Sequence, residues 1–243
     1  PKSILVNGVH YYMRQELSKG DHLQVRICET KNSEKIPPTN LPLNIIYEDE
    51  DLLVLNKPAG MPVHPSQGHH GDTLGNVFAA QFPQLPFRPV YRLDSDTSGI
   101  CLIAKSAYAA GQLQGSTRKT YLALVCGELS TGGTVDAPIG RAEGSVLCRC
   151  VRPEGKPAVT HYTPLRSDGT YTLLSLRLET GRTHQIRVHM AYLGYPLAGD
   201  RLYGSSSEQF PHHMLHCDSL EFPDPETGEC RQFSAACPWN SCV

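Results

Sequence analysis

The 243-residue sequence has nine cysteines but no CxxC pair; its tightest spacings are Cys148 to Cys150 and Cys237 to Cys242. Zinc sites use tighter paired ligands, so no metal is expected. The adjacent histidines His69-His70 and His212-His213 do not change this, because neighbours on a strand point apart. The sequence also lacks a run of about 18 apolar residues, so no membrane span is expected. It lacks a secretory pattern as well, which points to reduced thiols in the cytoplasm, most of them small buried apolar groups. Charge of one sign is scarce too. The net charge of −2 argues against wholesale electrostatic capture of nucleic acid, though a local basic patch suffices to hold phosphates. Such a cluster exists: Arg177, Arg182, His184, Arg187, His189 and Arg201 lie close in sequence, and a solvated charged face explains the clustering equally well. With 40% hydrophobic and 19% charged residues, the chain suits one large folded domain, or one domain with a small appendage. It opens on Pro1 rather than Met, which leaves room for a missing N-terminal piece.

Turn and strand signals divide the chain. Asn7-Gly8 and Gly20-Asp21 mark turns around Ile4-Leu5-Val6 and the alternating Leu23, Val25 and Ile27. Residues 31–42 are polar and carry Pro37, Pro38 and Pro42, a linker composition. We expect a small segment with its linker over 1–36 and a larger domain over 37–243. In the larger domain, strands are expected at 52–55, 100–104, 121–125 and 171–178. A helix capped by Asp72 carries Leu74, Val77 and Phe78 and ends before Pro83. A second follows Thr180-Gly181, with Ile186, Met190 and Leu193 at helical spacing and Gly194 at its end. Strands outnumber helices without alternating regularly with them. The expected class is α+β, with a mixed, largely antiparallel central sheet flanked by helices and loops.

Two stretches carry candidate chemistry. Tyr91-Arg92-Leu93-Asp94-Ser95-Asp96-Thr97-Ser98-Gly99 sets polar groups against an apolar strand, so it can hold a carboxylate beside a low-dielectric core. The same residues also suit an Asx or ST turn that merely bonds nearby amides. Glu179-Thr180-Gly181-Arg182-Thr183-His184-Gln185-Ile186-Arg187-Val188-His189 places Arg182 at an expected helix start. A cation is unfavourable there unless something negative, a carboxylate or a phosphate, compensates. A capped amphipathic helix with a basic polar face fits this stretch as well.

Taken in order, these stretches resemble the RluA-type family of pseudouridine synthases. Arg92-Leu93-Asp94 with Thr97-Ser98-Gly99 is similar to that family's catalytic loop, Lys119-Thr120-Tyr121-Leu122-Ala123 to its tyrosine strand, and Gly181-Arg182-Thr183-His184-Gln185-Ile186-Arg187 to its basic segment. Gly199-Asp200 to Tyr203-Gly204, Leu55-Asn56-Lys57-Pro58-Ala59-Gly60 and Leu215-His216 extend the match over about 46–222. One position departs: Tyr91 stands where the family commonly has His.

The resemblance implies the pseudouridine synthase fold and isomerisation of uridine in folded ribosomal or transfer RNA, without cofactor or metal. It implies Asp94 as the catalytic carboxylate, either a nucleophile or a base on the ribose, with Arg182 paired to it and Tyr121 stacking on the uracil and moving a proton near C5. Arg92 would enter the stack or hold flanking phosphates around an extruded nucleotide. Lys57, Arg187, His189 and Leu215 are further candidates for RNA contact. Residues 1–30 resemble the latter half of an S4-type RNA-binding module, a small N-terminal S4-like remnant; a hairpin of another kind fits them too. A magnesium-dependent phosphohydrolase would also use carboxylates two apart, as in Asp94 and Asp96. That motif, however, should follow a buried strand, and here the apolar strand comes after it. A non-catalytic RNA-binding protein is the other alternative.

Overall fold

The computed structural model describes residues 4–12, 16–25, 36–204 and 209–239. The chain divides into two compact units, Pro1–Glu34 and Lys35–Val243. In the first, β1 (Ile4–Val6), β2 (Val9–His10) and β3 (Leu23–Val25) form an antiparallel sheet in the order β2-β1-β3. Asn7 and Gly8 both take positive φ, 53° and 78°, the geometry of the two-residue hairpin that Asn-Gly favours. Asn7 donates to Asp21, which also accepts the Ser18 N–H, so the two turns are tied together. Ile27 and residues 31–35 of the expected linker lie outside the described residues.

The second unit is built on β4 (Ile45–Glu48), β5 (Leu52–Lys57), β6 (Ser98–Ala104), β7 (Arg118–Cys126), β8 (Gly133–Asp136), β11 (Val159–Ser167), β12 (Tyr171–Leu178), β13 (Leu215–Pro223) and β14 (Cys230–Ser234). These nine strands form one sheet in the order β4-β5-β6-β13-β7-β12-β11-β8, with β14 also on β13. The strands β9 (Ile139–Arg141) and β10 (Arg149–Val151) make a separate ribbon. Helices α1 (Leu74–Gln81), α2 (Ala107–Leu113) and α3 (Gln185–Tyr192) complete the fold. The class is α+β, and the four expected strands fall within β5, β6, β7 and β12. Among the described residues β6 with β13 is the one parallel pair, and it spans only His216↔Ser98 and Cys217↔Gly99. Past Cys217, β14 takes the edge that β6 leaves.

That short junction demands glycine. Gly99 has φ +109°, and a Cβ there would fall 2.2 Å from the Cys217 carbonyl oxygen. The close approach joins the two halves of the sheet directly behind the loop that carries Asp94. The core runs along the strands: β6 is buried at all seven positions and β5 at five of six, as expected of strands covered on both faces.

Two local expectations are corrected. The cap of α1 is Thr73, not Asp72. Thr73 and Asn76 satisfy each other's backbone N–H in a capping box, while Asp72 meets His69 Nδ1 at 2.6 Å. Over the described residues 36–42, the expected linker is instead a strap on α1. Thr39 N–H donates to Asn76 O at 2.9 Å and Asn76 Nδ2 to Pro37 O at 2.7 Å.

Candidate active site

Asp94 sits in a turn leading into β6, closed by Thr97 N–H donating to the Asp94 carbonyl at 3.1 Å. Its carboxylate is not used by the loop's own amides. Oδ2 lies 3.4 Å from Arg187 Nη1 and 3.9 Å from His184 Nε2, with 30% of the side chain exposed. The charged alternative therefore prevails over the Asx turn at this residue. Asp94 faces a cleft of about 840 Å³ that is also lined by Tyr121, Arg92, Arg182, His184 and Leu215, within the usual range for ligand sites of about 300–1,000 Å³.

The guanidinium beside Asp94 belongs to Arg187, which corrects the expected pairing with Arg182. Arg182 is half-buried and its Nε donates to Pro157 O at 2.9 Å. The helix also begins three residues later than expected. Gln185 Oε1 accepts from Arg182 N–H and Thr180 Oγ1, and His184 is left-handed at φ 57°. This turn delays α3 and swings Arg187 inward. There Arg187 binds Asp200 through two bonds, Nε–Oδ2 at 2.7 Å and Nη2–Oδ1 at 2.9 Å, the planar fork that lysine cannot reproduce. Burial works against the Arg187 charge, but the Asp200 bonds and the Asp94 charge outweigh it and raise its pKa. One carboxylate thus fixes the guanidinium and leaves Nη1 for the other. Asp200 belongs to the Gly199-Asp200 to Tyr203-Gly204 motif of the resemblance, and nothing in that local pattern reveals its pairing with Arg187.

His184 was also missed as a site residue. Arg149 N–H donates to Tyr203 Oη at 2.9 Å, and Tyr203 Oη meets His184 Nδ1 at 2.8 Å. This contact orients the ring so that Nε2 faces Asp94 at 3.9 Å. Burial lowers the His184 pKa, and the Asp94 charge opposes it.

Tyr121 is buried on β7, where Cys217 of β13 stands opposite. Burial pushes its phenol well above its ordinary pKa, and the nearby Asp94 charge adds to the rise. The hydroxyl stays neutral and able to donate. Tyr91 donates its hydroxyl to Ile100 O at 2.9 Å, with Lys119 Nζ 4.1 Å from its ring centre. At this position the tyrosine braces β6.

Two expected RNA contacts are corrected by burial. His189 is fully enclosed. Its Nε2 donates to Ala137 O at 2.9 Å, and its Nδ1 then accepts from Thr160 Oγ1 at 2.8 Å, which pins α3 to β11. Lys57 is 1% exposed, and Nζ donates to the Pro58, Met61 and Ser95 carbonyls at 2.7–2.8 Å. All three ammonium protons are used, and the bond to Ser95 ties β5 to the Asp94 loop. Burial lowers the Lys57 pKa from 10.5 to about 8. Between those values the unfolded chain holds this proton more than the folded one, so the site makes stability rise with pH through that window. Urea unfolding of Lys57→Met should show a loss of about 1–3 kcal/mol near neutral pH from stranded carbonyls. The Lys57 contribution to the slope between pH 8 and 10.5 should vanish; a slope equal to that of wild type would rule out this account.

Among the described residues, no group of three or more His, Cys, Asp or Glu side chains could hold a metal ion, and no helix is long and apolar enough to cross a membrane.

A ligand-sized cleft on a mixed sheet, with a carboxylate braced by a guanidinium and an imidazole and walled by a phenol, has the form of an enzyme site. A family profile described as RNA pseudouridylate synthase matches residues 51–192, the stretch that contains Asp94, Tyr121, His184 and Arg187. The chain belongs to that family, and its activity is the isomerisation of uridine to pseudouridine in RNA. It is 41% identical over 243 residues to the uncharacterized RNA pseudouridine synthase YjbO of Bacillus subtilis, covering 96% of this chain and 86% of that one. It is 39% identical over 257 residues to ribosomal large subunit pseudouridine synthase D of Pasteurella multocida, covering 96% and 79%. Among solved structures, human RNA pseudouridylate synthase domain containing 1 superposes with a TM-score of 0.69 at 28% identity, covering 88% of this chain and 89% of the other.

Proposed function

We propose that Asp94 is the carboxylate that acts on the ribose of a uridine extruded from folded ribosomal or transfer RNA. The reaction breaks the N1–C1′ bond, turns the uracil and joins C5 to C1′; C5 loses a proton and N1 gains one. Nothing is oxidised or transferred to a second molecule, so the chemistry calls for no cofactor. The observation that carries this reading is the placement of Asp94 Oδ2, exposed to the cleft and 3.4 Å from a guanidinium that Asp200 already holds. Arg187 sets its positive charge beside Asp94, the place first expected of Arg182.

Tyr121 and Leu215 offer the uracil a flat wall and an apolar one, and the neutral phenol can pass a proton near C5. Arg92, exposed, and Arg182, half-buried, both line the cleft and meet the flanking phosphates. The first unit acts as the latter half of an S4-like RNA-binding module, with Asn7-Gly8 and Gly20-Asp21 as its turns. The enzyme works in the cytoplasm, where such RNA is found. Several relatives are named for the large ribosomal subunit, which favours ribosomal over transfer RNA.

The test is a map of pseudouridines by carbodiimide and primer extension in cellular RNA with and without this protein. At least one site in large-subunit ribosomal RNA should disappear on deletion and return with the wild-type chain. An unchanged ribosomal map with a lost site in transfer RNA would reverse the preference, and an unchanged map in both would overturn the substrate assignment.

A further inference from the structure

The turn that presents Asp94 is held from behind by a residue outside the catalytic set. His213 precedes β13, and its Nε2 lies 2.9 Å from Thr97 Oγ1, with 4% of His213 and 2% of Thr97 exposed. Thr97 is the residue whose N–H closes the turn on the Asp94 carbonyl. The parallel junction follows within three residues on both segments, at His216↔Ser98 and Cys217↔Gly99. Three positions of the loop's end are thus fixed in succession: Thr97 by a side-chain bond to His213, Ser98 by its Oγ bond to His216 Nδ1 at 2.8 Å, and Gly99 by backbone pairing. Of these, the Thr97 bond is nearest Asp94 and spans 116 residues of sequence.

From these contacts, and resting on the assignment of Asp94 above, we propose that His213 is a positioning residue: by holding Thr97 it sets the turn that brings Asp94 Oδ2 to Arg187. Asn or Gln could make the same bond, whereas an apolar side chain of similar bulk could not. The charges around His213 are those of the site itself: Arg187 on α3, Asp200 in the segment after it, and Asp94 and Asp96 on the catalytic loop. Burial, helped by Arg187 and opposed by the three carboxylates, lowers the His213 pKa to about 4. The imidazole is therefore neutral at any ordinary working pH, which suits a fixed hydrogen bond and places no second cation beside Arg187. Displacement of a reacting group by about 1 Å can cost on the order of 100-fold in rate, so one bond at this distance from the chemistry can matter.

The experiment measures tritium release from total RNA of deletion cells grown on 5-tritiated uridine, since C5 loses its hydrogen on isomerisation. His213→Leu should lower kcat on the order of 100-fold with apparent KM for RNA unchanged. His213→Gln should restore most of the rate. Thr97→Val should reproduce the His213→Leu loss, and the double variant should be no worse than either, the non-additivity of two ends of one bond. Should His213→Leu fail to fold, Thr97→Val must still show the fall in kcat alone. A fully active His213→Leu, a His213→Gln as slow as His213→Leu, or losses that multiply in the double variant would each overturn the inference. Asp94→Asn, assayed in parallel, separates the two levels: if it turns over, the site assignment fails, and if it is dead while His213→Leu is active, only the positioning role fails.

Discussion

Replacing Arg187 with alanine is expected to destabilise the chain by about 3–5 kcal/mol and to abolish turnover. The cause of the first loss is Asp200, whose side chain is 0% exposed. Without the guanidinium, this carboxylate keeps, among the described residues, the Leu202 and Tyr203 N–H groups as donors. In the native chain burial pushes the Asp200 carboxyl up, but the bonds and charge of Arg187 outweigh it and hold it below 3.8. The unfolded chain therefore binds this proton more readily, and the site makes stability rise with pH across the acid range. In Arg187→Ala burial is left largely unopposed and the carboxyl rises above its ordinary value. The folded chain then binds the proton more readily, so stability should fall as pH rises from the ordinary carboxylate range toward neutrality. Urea unfolding at pH 5 and 7.5 should show this fall in the variant, whereas in the wild type Asp200 contributes no slope over that range, because its window lies lower. Arg187→Leu combined with Asp200→Leu should recover much of the stability, because replacing a buried ion pair by apolar groups is often neutral. It should recover no activity, since Asp94 would still lack its cation. A double variant that turns over would remove Arg187 from the site.

The outcome at Arg187 also shows where the sequence was legible. Ile100 to Ala104 read correctly as a buried strand because both faces of β6 are covered and an unbroken apolar run results. The strand β12 read correctly because Leu174 and Leu176 are enclosed while Arg177 is exposed. By contrast, β11 was missed: only Thr160 of its nine residues is buried, and its pairing with β12 slips between Pro164 and Arg166. The motif residues Asp94, Tyr121 and Leu215 were chosen from the sequence, and the fold brings all three to one cleft.

What failed was the assignment of partners. A basic residue near a helix start reads alike whether it faces water or a carboxylate, and the difference between Arg182 and Arg187 lay in a left-handed turn at His184. The sequence could have hinted at this. Gln185 is a residue able to bond back to Thr180 and Arg182 N–H, which moves the helix start to its own position. Lys57 and His189 failed for the opposite reason. A charged or titratable side chain reads locally as a surface contact, whereas each of these two has its buried polar atoms fully engaged by backbone carbonyls or a hydroxyl. Such satisfaction depends on residues up to 52 positions away, and no local pattern encodes it.

Asp94→Asn carries the other large effect, and it should differ in kind from Arg187→Ala. The amide has nearly the shape of the carboxylate, Arg187 remains anchored by Asp200, and the lost contact is a 3.4 Å bond at a partly exposed group. The variant should therefore melt within about 1 kcal/mol of wild type, the ordinary cost of an exposed pair. Turnover should fall by at least about 10²–10⁴-fold, the typical contribution of a single catalytic carboxylate acting as acid or base, and further if it attacks carbon. Binding of RNA should persist, since Arg92 and Arg182, proposed to meet the flanking phosphates, are untouched and removing a negative charge from the cleft does not weaken attraction to a polyanion. Tritium release, filter binding at fixed salt and thermal unfolding measure the three quantities on one preparation. A stable variant that binds RNA and still releases tritium within tenfold of the wild-type rate would mean that the carboxylate is dispensable. The arrangement of Arg187, Asp200 and His184 around it would then be a structural brace rather than an active site.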